Sequence, residues 1–362
     1  MHATLLSNML VSSNTFHNAF TSVTNWQGQN FVAYRQALSH GIIPKGVVYV
    51  LAYDIEDDDS YEKTNIGIFE HPEGDVRDPR LIATDEALYC VVGVYLPSPS
   101  QGTPYKLVAD SQDNLIQTMV TWTTDGATWA PLTPILRPGY WGWSAIHDDY
   151  RWYMASYHTH LRGQSQSIHL DTSLSLFSGW GPWTCIYDGA SFAHENGIMC
   201  YKSALPSEPV LYWVEPGTMA CCLRTGTTME VGVSRYPYQE WRWWDTRKEL
   251  HPSAVMQTPH GLLMAAREIV KAPHIRPGHS LGESRVKTTY HTSLYHLHAQ
   301  HATKILELPS GGDTGYAGIA ETDTPGEYDV SYYSQHRLLR QEYFDVTMPS
   351  AEVYVARVKI EA

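Results

Sequence analysis

The residues with the greatest chemical reach sit in short segments that each open a run of alternating apolar residues. The clearest is Leu308-Pro309-Ser310-Gly311-Gly312-Asp313-Thr314-Gly315-Tyr316, followed by Val330-Ser331-Tyr332-Tyr333-Ser334-Gln335-His336. It combines a Gly-rich turn, a carboxylate and a tyrosine at the start of a strand pattern. A tyrosine is a weak nucleophile at its free pKa of about 10, but a neighbouring carboxylate that takes its proton activates it. It suits an anomeric carbon that carries a carboxylate, because a neutral nucleophile avoids like-charge repulsion. Similar residues recur as His17-Asn18, Tyr34-Arg35 with His40, Arg77-Asp78, Trp143, His194-Glu195-Asn196, His251 and Arg267. Tyr316, Glu195, Asp78 and His40 are candidate catalytic groups. Arg77, Arg35 and Arg267 are candidate anion binders. His17, Asn18, His194, Asn196, Trp143, Asp313 and Tyr333 are expected around the same pocket. The same parts allow a different reaction. A lyase cleaving beside a uronic acid needs a cation on the carboxylate and a base for the C5 proton; Arg77, Arg35 or Arg267 could do the first, and His17, His40, His194 or Tyr316 the second.

To bring these positions together the chain must place strand starts around one point. Helical periodicity is nearly missing. A short alternating run, a turn and a second run repeat six times, opening at Asn18, Asp78, Ser144, Glu195, Ser253 and Tyr316. The fourth hairpin reads as Glu195–Tyr201, a turn at Pro206-Ser207-Glu208-Pro209, then Val210–Val214. The spacing of roughly 50–66 residues fits a propeller blade with added loops and leaves room for two outer strands. Gln117–Trp122 and Thr124–Trp129 read as such strands. The expectation is an all-β, six-bladed β-propeller with four-stranded antiparallel blades, one domain over 1–362, its ring closed by a C-terminal strand at 352–360. Two stacked sandwiches fit less well, because the repeat runs evenly through the chain. In a propeller the innermost strands begin around one mouth of the axial channel.

Composition narrows the partners. The net charge of −13 argues against nucleic acid and anionic membrane surfaces. Tyr (24) and Trp (12) outnumber Phe (7), which suits strands and wet, sugar-stacking pockets. The 18 His form no HExxH or paired zinc spacing; His291, His296, His298 and His301 are a loose cluster, and no metal or cofactor is expected. Five Cys without a CxxC, two of them adjacent, read as buried thiols in a reducing compartment. The N-terminus lacks a basic, apolar leader and no segment reaches membrane-spanning length, so the expectation is a soluble, cytoplasmically made chain that could be released or carried on a virion. The run Glu56-Asp57-Asp58-Asp59 reads as a solvated loop, and Lys271–Lys287 as a loop that could cover the pocket.

The hairpin layout and the degenerate Asp-box Thr124-Asp125-Gly126-Ala127-Thr128-Trp129 resemble the sialidase-like (BNR-repeat) six-bladed propellers. His17-Asn18-Ala19-Phe20 with Tyr34-Arg35-Gln36-Ala37-Leu38-Ser39-His40, Asp75-Val76-Arg77-Asp78-Pro79-Arg80-Leu81 and Leu308–Asp313 are similar to the bacterial exo-sialidase-like branch, over nearly the whole chain. The resemblance implies a carbohydrate partner, three arginines on a substrate carboxylate, a tyrosine nucleophile at Tyr316 paired with a glutamate at Glu195, and an aspartate as acid/base. Two of its arginines lack an equivalent: the Phe-Arg-Ile-Pro turn is His17-Asn18-Ala19-Phe20 here, and none follows the Glu195 hairpin, although Lys202 is near. A sialidase-like exo-glycosidase, a uronate lyase and a non-catalytic glycan-binding propeller on a virion or cell surface are the three functions this leaves.

Overall fold

The computed structural model describes residues 1–42, 44–55, 61–97, 115–158, 166–188, 206–225, 228–274, 285–298, 301–338 and 350–362, and every regular element within them is a strand. No helix there is long and apolar enough to cross a membrane. Strand β1 (His2–Ser12) waits for the far end of the chain. Blade one is β2 (His17–Trp26), β3 (Gln29–Ala37), β4 (Val47–Ile55) and β5 (Tyr61–Phe69). Blade two is β6 (Asp75–Ala83), β7 (Leu88–Leu96), β8 (Leu115–Thr123) and β9 (Thr133–Pro134). Blade three is β10 (Tyr140–His147), β11 (Trp152–His158), β12 (Ser167–Ser173) and β13 (Thr184–Asp188). Blade four is β14 (Ser207–Glu215), β15 (Thr218–Arg224), β16 (Met229–Arg235) and β17 (Arg242–Asp245). Blade five is β18 (Leu250–Thr258), β19 (Gly261–His274), β20 (Arg285–His298) and β21 (His301–Glu307). Blade six is β22 (Gly315–Glu321), β23 (Glu327–Ser334), β24 (Glu352–Glu361) and, outermost, β1. The six-bladed ring of four-stranded antiparallel sheets is therefore the observed architecture.

The strand sequences explain the layering. β7 reads Leu-Tyr-Cys-Val-Val-Gly-Val-Tyr-Leu and is buried along nearly its whole length. A near-continuous apolar, β-branched run suits a strand covered on both faces, here by the neighbouring blades. Close approach has a specific device at Gly93 of β7: a Cβ there would meet the Trp141 indole Nε1 at 2.6 Å, so the missing side chain admits a ring from blade three.

The first hairpin of every blade carries a β-bulge near the start of its innermost strand. In blades one, two, four and six, two residues oppose one: the register jumps between Ala19 and Ser22, Arg77 and Arg80, Ser207 and Val210, and Gly315 and Gly318. In blades three and five the jump is Gly142 to Ser144 and Pro252 to Ala254. The first bulged residue in each of the four longer cases has positive φ: Phe20 (60°), Asp78 (52°), Glu208 (57°) and Tyr316 (46°). Pro79, Pro209 and Pro252 lie at these jumps, where a residue without an N–H costs the ladder nothing.

Three expectations change. The innermost strand of blade four begins at Ser207 and not at Glu195; the Pro206–Pro209 turn signal is a strand start with a bulge, and Val210–Val214 belongs to that inner strand. Thr124–Trp129 is a turn and not a strand, because Asp125 Oδ1 accepts the Ala127 and Thr128 N–H groups at 2.9 and 2.7 Å. Cys90, Cys221 and Cys222 are buried thiols, whereas Cys185 is exposed. Glu56–Asp59 lies outside the described residues. The two ends of the Lys271–Lys287 stretch are strand, with β19 and β20 paired out to His274 and Arg285; 275–284 is outside the described residues.

The ring closes by pairing β1 with β24, from His2 opposite Glu361 to Ser12 opposite Val353. The C-terminal strand thus supplies the third strand of the last blade and the N-terminal strand the fourth. The seam to blade one is fixed by Asp329, which is 1% exposed. It accepts both arms of the Arg357 guanidinium at 2.9 and 3.0 Å and the Tyr53 hydroxyl at 2.8 Å. Asp329→Ala leaves a guanidinium and a buried phenol unpaired; the expected loss is about 3 kcal/mol, read as a lower urea midpoint at unchanged m-value. An unchanged midpoint would contradict this account of the seam.

Candidate functional site

The bulges turn side chains out of the ladder and toward the mouth of the ring. Tyr316, from blade six, donates its hydroxyl proton to Glu208 Oε1 of blade four at 2.7 Å. Arg224, at the end of β15, donates from Nη1 to the same oxygen at 2.6 Å. Arg267 of β19 lies 5.6 Å over the Tyr316 ring, and Gly315 makes room for it: a Cβ there would stand 3.1 Å from Arg267 Cβ. Trp143 of β10 packs near Tyr316, ring centroids 5.8 Å apart. Phe20, the bulged residue of blade one, meets the Tyr316 ring edge-on at 5.1 Å and carries the Arg77 guanidinium at 4.6 Å over its face. Arg77 Nε stands 3.3 Å from Asp78 Oδ2.

Electrostatics set the protonation states. Burial pushes the Tyr316 phenol up and the Glu208 charge adds to it, while Arg224 and Arg267 pull it back without reversing the shift. The phenol therefore keeps its proton at neutral pH, shared in the bond to Glu208. Burial also raises the Asp78 carboxyl against the pull of Arg77. His251 is driven far below the usual histidine range by burial, then by Arg267 and Arg224. It is a neutral acceptor, and its Nδ1 takes both Arg267 Nε and Nη2 at 3.1 and 2.7 Å. Arg77 and Arg224 are matched by carboxylates, whereas the described partner of Arg267 is this uncharged ring.

A second cluster adjoins the first. Asp313, 2% exposed, accepts His17 Nε2 at 2.9 Å and His40 Nδ1 at 2.6 Å on Oδ2. The Tyr333 hydroxyl donates to its Oδ1 at 2.8 Å. Burial alone would raise this carboxyl; the two imidazole hydrogen bonds outweigh it and hold the group well below the usual carboxylate range. His17 is pushed down by burial despite Asp313.

The structure thus brings Tyr316, Arg77, Asp78, Arg267, Trp143, His40, His17, Asp313 and Tyr333 into one region. Glu195, His194 and Asn196 lie outside the described residues, as does Lys202; the carboxylate that Tyr316 touches is Glu208. Arg35 corrects one expectation. It is fully buried and bonded to Asp75 Oδ1 at 2.6 Å and to the Ser39 and Gly41 carbonyls, so it braces the loop that carries His40 from beneath and does not reach the mouth. Asn18 is likewise buried, tying Asn14, Ala351 and Gln36. Sequence reasoning missed Glu208, Arg224 and Phe20. A signal existed for the first: Asp78-Pro79, Glu208-Pro209 and His251-Pro252 are one motif, a polar residue before a proline at a bulge. Arg224 is the arginine that the relocated hairpin brings to Glu208. The three atoms His17 Nε2, His40 Nδ1 and an Asp313 oxygen lie within 4.8 Å of one another, a spacing that could hold a metal ion; His296 and His298, the pair that shares a strand face, sit elsewhere on β20 with rings 3.9 Å apart.

His17, His251 and His169, the last at about 4, all titrate lower in the folded chain than the unfolded value of about 6.5. The unfolded state binds more protons in that window, so stability is full above about 6.5 and falls as pH drops below it, by up to about 1.4 kcal/mol per pH unit for each group. The thermal midpoint is expected to fall steadily from pH 7 to pH 5; a flat profile would refute the buried-neutral assignment.

No family model matches the sequence, and no curated protein matches it either. Solved structures do share the fold. The sialidase of Trypanosoma rangeli superposes with a TM-score of 0.60 at 11% identity, over 98% of this chain and 59% of that one; the chain therefore spans about three-fifths of that relative's length. The endosialidase of phage phi92 gives 0.60 at 11% identity, over 98% and 69%. The Hadza microbial sialidase Hz136 gives 0.58 at 12% identity, over 95% and 66%. The chain has the six-bladed propeller fold of these sialidases.

Proposed function

We propose that this propeller is a glycoside hydrolase of the sialidase-like, exo-acting kind, taking a terminal sugar that bears a carboxylate. The observation that carries the reading is the Tyr316–Glu208–Arg224 chain, with hydrogen bonds of 2.7 and 2.6 Å. Tyr316 attacks the anomeric carbon and its proton passes to Glu208. Arg224 holds that carboxylate in place and, with Arg267, stabilises the oxygen as it loses the proton. Arg267 is the best placed cation for a substrate carboxylate, because its hydrogen-bonding partner is neutral. Arg77 and Asp78 form the facing wall. Two features support a functional origin for the geometry. Tyr316, Glu208 and Asp78 all sit at positive φ, a conformation that costs a non-glycine residue of order 1 kcal/mol or more and collects at functional sites. The partners also come from separate blades, which packing of one hairpin does not require.

The test is hydrolysis of a panel of terminal acidic glycosides, sialosides and glycuronides, with wild type, Tyr316→Phe and Glu208→Gln. The first variant is expected to lose activity by at least about 100-fold and the second by a similar factor, both with wild-type circular dichroism. Arg267→Ala is expected to raise KM about 10-fold for the acidic sugar. If wild type cleaves nothing but binds glycans on an array, the hydrolase reading fails in favour of a binding propeller.

A further inference from the structure

We infer that His40 is the proton donor to the departing oxygen and the later base for water, a catalytic residue set in place by Asp313 as its positioning residue. This rests on the glycosidase reading above.

His40 lies in the loop between β3 and β4, and that loop is tied down from below. Arg35 donates to the Ser39 carbonyl at 3.0 Å and to the Gly41 carbonyl at 2.6 Å, and Arg77 donates to the His40 carbonyl at 3.3 Å. Three successive carbonyls are thus held by two buried guanidiniums, which are themselves anchored on Asp75. The ring is fixed as well. Its Nδ1 points to Asp313 at 2.6 Å, a carboxylate also bonded to His17 and Tyr333 and ionised at neutral pH. An ionised carboxylate accepts only, so Nδ1 carries hydrogen and Nε2 is the nitrogen left for chemistry. The His40 side chain is 40% exposed against 2% for Asp313, so the ring runs from a buried anchor to an open edge. Phe20 meets His40 and Tyr316 edge-on at 5.1 Å each, which places the two rings on one wall. Asp78, the other proton-donor candidate, is engaged with Arg77 and is 5% exposed.

A metal is the rival use of this cluster. Two ligands around a tetrahedral ion with bonds of about 2.0–2.1 Å stand roughly 3.3 Å apart, whereas His40 and His17 approach the Asp313 oxygen at 2.6 and 2.9 Å, as hydrogen bonds do. Metal-bound histidines also donate their second ring N–H to an acceptor, and the buried His17 Nδ1 has no partner among the described residues.

In the first step the Tyr316 oxygen bonds to the anomeric carbon as the glycosidic C–O bond breaks, and the departing oxygen takes the Nε2 proton of the His40 imidazolium, leaving a neutral ring with hydrogen on Nδ1; the phenol proton moves to Glu208. In the second step the water oxygen bonds to the anomeric carbon as the tyrosyl C–O bond breaks, and His40 Nε2 takes a proton from that water, which restores the imidazolium. Glu208 returns its proton to Tyr316.

The test compares kcat/KM of wild type and His40→Ala on a matched pair of glycosides of the acidic sugar that wild type cleaves, one with a methyl and one with a 4-nitrophenyl aglycone. A good leaving group needs little protonation. The variant should therefore lose about 1,000-fold on the methyl glycoside and less than about 10-fold on the 4-nitrophenyl one, and azide should restore turnover of the latter. Long-range 1H–15N spectra of wild type followed through the His40 titration should show hydrogen kept on Nδ1 while Nε2 alone gains and loses its proton, and Asp313→Asn should lose that tautomer preference. Equal losses on both glycosides would overturn the inference and leave the hydrolase reading standing. Stoichiometric Zn2+ binding by calorimetry that His40→Ala abolishes would overturn it in favour of a metal centre. A wild type inactive on both glycosides sinks the hydrolase reading and this inference with it, even where the spectra show the tautomer.

Discussion

The two-for-one bulge at the start of the inner strands is the constraint on which the site depends. In a regular ladder, side chains alternate between the two faces of a blade and are consumed by packing against its neighbours. An extra residue breaks that alternation and sharpens the local twist. Here the same irregularity is installed around the ring, and in four blades its first residue adopts positive φ. Phe20, Asp78, Glu208 and Tyr316 leave the regular alternation at equivalent points of the ring and converge, with Phe20 kept as a core ring against which Tyr316 packs. The strain is tolerated because each strand is bonded on its far side and pressed between two others.

Charge is arranged with similar economy. The chain is strongly acidic, yet arginines gather at the mouth and beneath it. Most are neutralised where they stand: Arg35 and Arg77 on Asp75, Arg77 also beside Asp78, Arg224 on Glu208. A buried ion pair is weak evidence of stability but a good fixer of geometry. Arg267 differs, since a histidine held neutral by burial orients it without cancelling its charge. Arg267 therefore offers the site a directional positive charge beside these balanced pairs, with Arg80 over the Trp143 ring at 4.5 Å.

Much of the fold was legible because propeller strands announce themselves: alternating or continuous apolar runs, turns of Gly, Asp and Pro, and an even repeat. Five of the six inner hairpins follow from that pattern. The fourth does not, because Pro206-Ser207-Glu208-Pro209 carries the chemistry of a turn while the fold uses it as a bulged strand start. That single shift hid both Glu208 and the Arg224 that donates to it. Tyr316, Asp313 and His40 were recognisable from local motifs. Their roles were not, since the Asp313 bonds to His17 and His40 span the chain from blade one to blade six, and no local pattern reports a contact of that kind. Arg35 shows the converse: an arginine in a promising motif proves to be the prop beneath a loop.

The pairing of β1 with β24 also orders events in time. Within this ring the first strand to be made is the partner of the last. Through the whole of synthesis β1, with Leu5, Met9 and Val11, has no native neighbour on its hydrogen-bonding edge, and neither does blade six while its third strand is unmade. Such an edge is a template for foreign pairing. The blades can assemble one after another as they emerge, but the circle locks in a single late act, so the nascent chain lives longest in the state where chaperones have most to protect. Once locked, neither β1 nor β24 can peel away without opening the ring at its seam.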